Sequence, residues 1–201
     1  MTHCVIKQTM ILVPDTERHK TKAGLAIDVR PLRADDTPIL LEIFENLSED
    51  SRYSRFQQSL EQVEPERLWH EAEQILETTL RDGFALLAFT DRPWLENQAV
   101  GAARYVRNAS GEAEVAITVI DEMQGQGIGS ILLKLLIDHA RQEGVHRLMG
   151  VAMNNNPRVW ALVRSLPYRV TRQIEGTYTI VAIDLDDTAH DDRLDAADLK
   201  R

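Results

Sequence analysis

Apolar residues recur at two different spacings along this chain, and each spacing predicts a different kind of element. Residues 27–31 alternate apolar and polar side chains, which is typical of a short strand. Over 39–47 and again over 65–81, apolar residues follow the 3.6-residue period of an amphipathic helix. Asp35 or Asp36 is suited to cap the first of these helices. The first part of the chain is therefore predicted to form one strand and then two helices.

The strand pattern returns after the second helix and persists for three segments. Residues 84–89, 99–107 and 112–120 are predominantly apolar, and Asn-Ala-Ser-Gly at 108–111 is typical of a hairpin turn. Short turns join successive strands only when those strands run in opposite directions. These three strands are therefore predicted to form an antiparallel meander.

Strands and helices alternate in the second half of the chain. A glycine-rich turn at 124–130 leads into an amphipathic helix, and residues 146–153 form the next predicted strand. This strand–helix–strand order implies a parallel crossover. Another helix and two final strands, 168–174 and 177–185, complete the pattern. The predicted fold class is α/β, with a mixed, mostly antiparallel sheet flanked by helices and one parallel βαβ crossover.

The chain divides into three segments by composition. Residues 1–24 are mostly polar and are predicted to be an N-terminal extension, which either contributes an edge strand or is a flexible leader. Residues 25–185 form one predicted domain. Residues 186–201 are highly charged and contain few large apolar side chains, so we expect an acidic, disordered tail.

Charge and cysteine content exclude several functional classes. The 201 residues carry a net charge of −9, so no basic field is available to hold nucleic acid or an anionic membrane. The single cysteine, Cys4, excludes an internal disulfide and a cysteine-rich zinc site, and we predict no metal site. No apolar run reaches the roughly 18 residues that a membrane span needs. We therefore expect a cytoplasmic protein, and the sequence is compatible with both a monomer and a homodimer.

The glycine-rich turn carries the clearest chemical signal. Gly125, Gly127 and Gly129 alternate between a β-branched strand and an amphipathic helix. The first N–H groups of a helix lack intrahelical partners and lie at the positive end of its dipole, and glycine allows an anion to approach them. The turn is therefore predicted to cradle a phosphate or diphosphate.

Other interpretations of the turn fit less well. A Walker-type loop requires Lys followed by Ser or Thr after the final glycine, where this chain has Ser130-Ile131. A dinucleotide fingerprint requires an acidic residue at the end of the next strand, and 146–153 contains none. A turn that serves only to reverse the chain needs fewer than three glycines in five residues.

The turn resembles a known acyl-CoA site. Gln124-Gly-Gln-Gly-Ile-Gly129 matches the signature Q/R-x-x-G-x-G/A of the GNAT superfamily of acyl-CoA-dependent N-acyltransferases. The surrounding elements resemble that superfamily over about residues 26–185. The strand 113–119 and the segment 47–56 resemble the bacterial protein-lysine acetyltransferase branch most closely.

This resemblance implies acetyl-CoA as co-substrate and assigns residues to it. The turn would hold the diphosphate through its backbone amides, which belong to Gln124, Gly125, Gln126, Gly127, Ile128, Gly129 and Ser130. The backbone of Ile117, Thr118 and Val119 would pair with the pantetheine arm where the crossover strands splay. Asn156 would also contact the arm. The alternative is that Asn156 only caps its helix, a role that Asn154 or Asn155 could also fill.

Glu114 is the expected general base. A lysine ammonium, with a reference pKa of about 10.4, must lose a proton before its nitrogen can attack. Strand alternation places Glu114 on the same face as Ala116, Thr118 and Ile120, where apolar neighbours would desolvate the carboxylate and raise its pKa. The matching position in the resembled branch is a glutamate with this role. The alternative is a solvated carboxylate with no part in catalysis.

One position departs from the superfamily pattern. Many members carry a tyrosine that protonates the departing thiolate, and the corresponding residue here is Val163. Either the thiolate leaves without a dedicated acid, or another group, such as Tyr168, protonates it. The sequence therefore predicts an N-acetyltransferase that moves an acetyl group from acetyl-CoA to an amine, with a protein lysine as the favoured acceptor. A small-molecule amine acetyltransferase and a non-catalytic acyl-CoA-binding sensor are the alternatives.

Overall fold

A computed structural model describes residues 16–49, 51–52, 65–92 and 95–188. The apolar patch before position 14, part of the segment 47–56 and the end of the charged tail lie outside these described residues.

In the described part of the chain, eight strands form one mixed sheet flanked by helices. The strands are β1 (Glu17–Lys20), β2 (Ala26–Pro31), β3 (Gly83–Arg92), β4 (Leu95–Arg107), β5 (Ala113–Val119), β6 (Arg147–Met153), β7 (Tyr168–Glu175) and β8 (Tyr178–Thr188). The main helices are α1 (Thr37–Glu45), α2 (Pro65–Asp82), α3 (Ile128–Gln142) and α4 (Pro157–Arg164), and a 3₁₀ turn covers Asp121–Met123. None of the described helices is long and apolar enough to cross a membrane.

The spatial order of the strands is β1-β2-β3-β4-β5-β6-β8-β7. Every neighbouring pair is antiparallel except β5 and β6, which are parallel and are connected through α3. The predicted fold class is therefore confirmed, including the parallel crossover next to the glycine-rich turn.

The predicted meander is formed by β3, β4 and β5, and local hydrogen bonds fix its second turn. The side-chain oxygen of Asn108 accepts hydrogen bonds from the N–H groups of Ser110 at 3.0 Å and Glu112 at 3.1 Å. Gly111 has a φ of +83°, a conformation that side chains disfavour. These hydrogen bonds join residues no more than four positions apart, so the hairpin could be predicted from the sequence.

The two ends of the sheet extend beyond the predicted domain limits. β1 pairs antiparallel with β2, so the polar part of the N-terminal segment supplies an edge strand, one of its two predicted roles. At the other end, β8 continues to Thr188, past the predicted strand end at residue 185. The extension exists because Thr188 pairs with Tyr168 of β7, a partner that a single segment of sequence does not show.

The helices cover the two faces of the sheet. Gly101 and Ala102 are successive residues of β4 and therefore face opposite sides. A Cβ atom at Gly101 would lie 3.5 Å from Cδ1 of Leu132, so α3 covers one face. Ala102 faces Leu40 and Ile75 across a small cavity, so α1 and α2 cover the other face. We call these the α3 face and the α1/α2 face.

The predicted cap of α1 has a different function. Asp36 is the N-cap residue, but its side chain makes no capping hydrogen bond. Its carboxylate accepts hydrogen bonds from Nη1 and Nη2 of Arg30 at 2.6 and 2.7 Å and from the N–H of Arg33 at 2.7 Å. Burial acts to raise the pKa of Asp36, but these hydrogen bonds and the two guanidinium charges hold it below its ordinary value. The carboxylate of Asp36 thus binds the largely buried guanidinium of Arg30 and does not cap the helix.

Candidate cofactor and catalytic site

The glycine-rich turn has the backbone geometry that an anion cradle needs. Gly125 and Gly127 have φ values of +75° and +92°, in the left-handed region that favours glycine. α3 begins at Ile128, and no side chain caps its N-terminus. The N–H groups of its first turn, which have no intrahelical partner, are therefore left for a ligand.

The start of α3 lies over the end of β5. A Cβ atom at Gly129 would lie 3.9 Å from Cγ2 of Val119 and 4.0 Å from Cγ2 of Ile117. The structure thus brings the glycine-rich turn and the strand segment 117–119 together on the α3 face, as predicted for a cofactor that contacts both.

The parallel strands separate next to this segment. β5 and β6 are paired only as far as Glu114 and Met149, although β5 continues to Val119 and β6 to Met153. Among the described residues, the later part of β5 has no strand partner on the side of β6. The predicted splay is present, and Ile117–Val119 lies along its open edge.

Both the main chain and the side chain of Gln124 make hydrogen bonds within the protein. Its main-chain N–H donates to the carbonyl of Asp121 at 3.2 Å, and its Nε2 donates to the carbonyl of Val119 at 3.0 Å. Its Oε1 accepts a hydrogen bond from Nη1 of Arg158 at 2.8 Å. The N–H groups available to an anion therefore begin after Gln124, because the 3₁₀ turn already uses the amide of this residue. Its side chain fixes the turn against β5 and α4.

The side chain of Gln126 also folds back on the protein. Its Nε2 donates to the carbonyl of Glu122 at 3.2 Å and lies 3.6 Å from Sδ of Met123. In both glutamines the carboxamide hydrogen-bonds to other parts of the protein. The groups that the cradle offers to an anion are therefore its backbone N–H groups.

A second hydrogen-bond network, which the sequence did not predict, anchors the 3₁₀ turn. The Asp121 carboxylate accepts hydrogen bonds from the N–H and Oγ of Ser48 at 2.8 and 2.9 Å and from Oγ of Ser51 at 2.8 Å. Burial acts to raise the pKa of Asp121, but these hydrogen bonds and the charge of Arg158 keep it below its ordinary value. No local signal indicates this network, since the partners are 70 or more residues apart.

The asparagines before α4 have separate roles. The side-chain oxygen of Asn156 accepts a hydrogen bond from the N–H of Val159 at 3.1 Å, so Asn156 is the helix cap. Asn154 donates to the carbonyl of Gly176 at 2.9 Å and accepts from Oγ1 of Thr179 at 2.6 Å, and so anchors the β7–β8 hairpin. The cap uses Oδ1 of Asn156 and does not use its Nδ2 group.

Glu114 occupies the predicted face but not the predicted environment. Ala116 and Thr118 line the cavity on the α1/α2 face, as the alternation predicts. The side chain of Glu114, however, is exposed, so the expected desolvation among apolar neighbours is wrong. Glu114 is the second residue of β5, and the helices that cover this face pack further along the sheet.

Arg104 places a positive charge near Glu114. It belongs to β4, where it pairs with Ala116, and it lines a cavity of about 20 Å³, which has room for about one water molecule. Its Nε is buried without a hydrogen-bond partner in the described residues. Burial lowers the pKa of Arg104, and the negative charge of Glu114 opposes this effect. The burial of Arg104 has no local signal in the sequence, because residues of α1 and α2 surround the same cavity.

The position of the usual tyrosine acid is part of the core. Val163 is 7% exposed. The ring of Tyr168 lies 5.9 Å from the guanidinium of Arg141, in the last turn of α3. At 1.5 Å per residue, α3 separates that turn from Gly127 by about 20 Å. Tyr168 thus lies beside the opposite end of the helix from the anion cradle.

Comparison with known proteins identifies the family. A family model described as "Acetyltransferase (GNAT) family" matches residues 41–166. An acetyltransferase of Pseudomonas aeruginosa is 29% identical over 129 residues, which cover 64% of this chain and 67% of the relative. An L-methionine sulfoximine/L-methionine sulfone acetyltransferase of the same species is 27% identical over 103 residues, which cover 49% of this chain and 58% of that protein.

Solved structures share the fold. The GNAT domain of PAT from S. lividans is similar with a TM-score of 0.70 and 24% identity, over 84% of this chain and 96% of that chain. The PaiA N-acetyltransferase from Thermoplasma acidophilum, solved in complex with coenzyme A, has a TM-score of 0.60 and 20% identity, over 79% of this chain and 98% of that chain. The chain therefore belongs to the acetyltransferase (GNAT) family, as an N-acetyltransferase whose co-substrate is acetyl-CoA.

Proposed function

We propose that this N-acetyltransferase acetylates the side-chain amine of a protein lysine, with Glu114 as the general base. The observation that carries this proposal is the position of Glu114 at the last paired residues of β5 and β6. The strands open from that point toward the glycine-rich turn, so Glu114 marks the inner end of the gap between them.

The residues around the gap fit an acyl-CoA. The first-turn N–H groups of α3 suit its diphosphate, and the cradle consists of the backbone of residues 125–130. The unpaired edge of Ile117–Val119 suits the amide groups of the pantetheine arm, which would add to the sheet like a short strand. Asn156 lies at the start of α4, and its capping hydrogen bond does not use its Nδ2 group, which suits a carbonyl of the pantetheine arm. Acetyl-CoA supplies the activated acetyl thioester at the inner end of the gap.

The two faces of β5 separate the donor from the acceptor. Ile117 and Val119 face α3, whereas Glu114 and Thr118 face the α1/α2 side. An amine that approaches from the α1/α2 side therefore meets the thioester through the gap. Glu114 accepts the ammonium proton, directly or through water, and the nitrogen lone pair then attacks the acetyl carbon. The C–N bond forms, the C–S bond breaks, and the second amine proton passes, directly or through water, to the departing thiolate, so that CoA leaves as the thiol.

The exposure of Glu114 supports a macromolecular acceptor. Its neighbour across the sheet is Met149, and Val151, the next residue of β6 on the same face, is 49% exposed. An open sheet face beside the base admits a long lysine side chain carried by a folded protein. An enclosed pocket of the kind that holds most small ligands would bury this carboxylate.

A small-molecule acceptor is the second candidate, and Arg104 is the observation that favours it. Its Nε is buried without a hydrogen-bond partner in the described residues, and a guanidinium suits the carboxylate of an amino-acid-like amine. The adjoining cavity has room for about one water molecule, so it would have to widen to admit that carboxylate. The relative named for acetylating methionine sulfoximine and sulfone agrees with this chemistry. Membership of an acetyltransferase family favours both enzymes over the acyl-CoA sensor. A cytoplasmic location stays a prediction.

Acetyl-CoA turnover with two acceptor panels tests the proposal. One panel contains lysine-bearing proteins and peptides, and the other contains amino acids and polyamines; thiol release is measured for the wild type, Glu114→Gln and Glu112→Gln. Glu112 is the matched control, because it is a strand-end carboxylate two residues away that pairs with Arg147. We expect release with the lysine panel and a loss of kcat of about 100-fold in Glu114→Gln only. Full activity of that variant, or thiol release only with the small amines, would contradict the proposal.

A further inference from the structure

We infer that Arg158 and Lys22 bind phosphate groups of the cofactor at the glycine-rich turn. Neither residue belongs to the motif that identifies the turn. This inference rests on the proposed placement of the cofactor diphosphate at the N-terminus of α3, and it adds the cations that hold the phosphates there.

Arg158 reaches the turn from α4. It is exposed in the first turn of that helix, and its Nη1 donates to Oε1 of Gln124 at 2.8 Å. Gln124 immediately precedes Gly125, the first residue of the cradle. A guanidinium carries five N–H donors, so this single hydrogen bond orients the group and leaves other donors for an anion beside the turn.

The contact with Gln124 is itself held in place. Nε2 of Gln124 donates to the carbonyl of Val119 and to Oγ of Ser51, at 3.0 and 3.3 Å. The carboxamide therefore presents its oxygen to Arg158 in a fixed orientation. The guanidinium is thus positioned by β5 and the segment after α1 as well as by its own helix.

Lys22 lies next to the turn at Gly127. A Cβ atom at Gly127 would lie 3.5 Å from Cβ of Thr21 and 3.9 Å from the main-chain nitrogen of Lys22. Thr21 is buried, and its Oγ1 accepts a hydrogen bond from the N–H of Leu25 at 3.1 Å, which fixes the turn between β1 and β2. Lys22 is exposed. The N-terminal segment therefore places the main chain of Lys22 next to the cradle, and its exposed side chain is long enough to bring an ammonium group to a phosphate bound there.

The acidic charge of the protein gives both cations a role in attracting phosphate to the turn. The chain has a net charge of −9, and Asp121 and Glu122 directly precede the turn. A helix N-terminus offers only about half a positive charge, whereas a diphosphate and a 3′-phosphate are strongly anionic. Arg158 already interacts with Asp121 through its charge. Arg158 and Lys22 together offset the acidic residues and make the turn attractive to phosphate.

Calorimetric titration of the apo-enzyme tests the assignment without any catalytic step. Coenzyme A and 3′-dephospho-coenzyme A are titrated into the wild type, Arg158→Met and Lys22→Met. The matched controls are Arg164→Met, an exposed arginine at the other end of α4, and Lys20→Met, an exposed lysine in β1. Thermal melting of each apo-protein verifies that the variant is folded.

We expect Arg158→Met to weaken coenzyme A binding about tenfold and Lys22→Met about fivefold, with both controls near the wild type. Arg158→Lys, which keeps the charge, should retain most of the affinity. The losses should shrink at about 1 M salt, where screening acts within about 3 Å. A loss that persists with 3′-dephospho-coenzyme A assigns the cation to the diphosphate, and a loss that disappears assigns it to the 3′-phosphate.

The titrations can contradict the role of Arg158 and the role of Lys22 independently. A folded Arg158→Met or Lys22→Met variant with wild-type affinity for both ligands would overturn the assignment of that residue. No binding of coenzyme A by the wild type would instead remove the proposed cofactor site itself.

Discussion

Glu114 and Met149 are the last residues at which β5 and β6 lie side by side, and the next residue of β6 is Gly150. A Cβ atom at Gly150 would lie 3.3 Å from Cγ1 of Val115, on the α3 face of the sheet. The inner end of the gap is therefore bordered by a residue without a side chain. This geometry suits a cofactor arm that passes along β5 and ends beside Glu114.

Substitution Gly150→Val should close the inner end of the gap. The added side chain meets Val115 and occupies space proposed for the thioester arm, so we expect the KM for acetyl-CoA to rise about tenfold or more, with overpacking costing about 1–3 kcal/mol of stability. Steady-state kinetics and thermal melting measure the two effects. The control is Val151→Thr on the opposite face of β6, which should leave the KM for acetyl-CoA unchanged. An unaltered KM in Gly150→Val would show that the arm does not pass this point.

The glycines of the turn should differ in their tolerance of alanine. Gly127 has a φ of +92°, so Gly127→Ala should lower the free energy of unfolding by about 1–2 kcal/mol and weaken coenzyme A binding. A Cβ atom at Gly129 meets only ordinary contacts at 3.9 and 4.0 Å, so Gly129→Ala should change stability by less than about 0.5 kcal/mol. Denaturant unfolding measures both. Equal costs at the two positions would refute an explanation based on backbone conformation.

The buried pair of Arg30 and Asp36 should be a major stabilising contact of the N-terminal half. Their side chains are 13% and 4% exposed, and Asp36→Ala would leave the guanidinium without its buried partner. We expect a loss of about 3 kcal/mol in the free energy of unfolding, measured by denaturant titration. Asp35→Ala removes an exposed neighbour and should cost less than about 0.5 kcal/mol. Similar losses in the two variants would contradict a specific role for the pair.

The same pair should contribute to acid unfolding. The folded-state pKa of Asp36 lies below its ordinary value, so its stabilising effect is fully present above the unfolded-state pKa of about 3.9. That effect is lost as the pH falls through the lower pKa of the folded state, where the native carboxylate also takes up a proton. Unfolding curves of the wild type and Asp36→Ala should therefore converge toward the acid end. A constant difference between them at every pH would be inconsistent with this linkage.

His139 should make the free energy of unfolding depend on pH in a range above that of Asp36. Its ring stacks on Phe84 with centroids 3.5 Å apart, and its Nδ1 lies 3.1 Å from the hydroxyl oxygen of Tyr105. Burial lowers the pKa of His139, with Glu143 opposing and Arg107 adding to the shift. The unfolded chain therefore binds a proton at His139 at a higher pH than the folded chain does. Stability should fall as the pH decreases below about 6.5, until the folded-state pKa is reached.

Chemical unfolding between pH 5 and 8 measures this effect. His139→Gln should flatten the decline below about pH 6.5, whereas the exposed His146→Gln should keep it. A decline of the same size in His139→Gln and the wild type would assign the pH dependence to other groups.

Most of the secondary structure was predictable because its causes are local. The period of apolar residues located the strands and helices, and the Asn108–Gly111 turn carries its own hydrogen bonds. The glycine-rich turn was recognisable for the same reason, since the need for a positive φ at Gly125 and Gly127 depends only on the backbone at those residues. The alternation of β5 also predicted that Ala116 and Thr118, which share the face of Glu114, point to the same side of the sheet, and both line one cavity.

The details of the site depend on contacts between distant segments. The exposure of Glu114 follows from where α1 and α2 pack, and Asp36 pairs with Arg30 across a strand end instead of capping its helix. Arg158 is brought to Gln124 only by the packing of α4 beside the turn.

The sequence by itself therefore determined the elements, the glycine-rich turn and the family signature, because each of these depends on residues within one turn or one strand of each other. The tertiary structure decided which side chains surround that turn and which remain exposed beside it. Those properties arise from strand order and helix packing, which join residues many positions apart, and no local pattern encodes them.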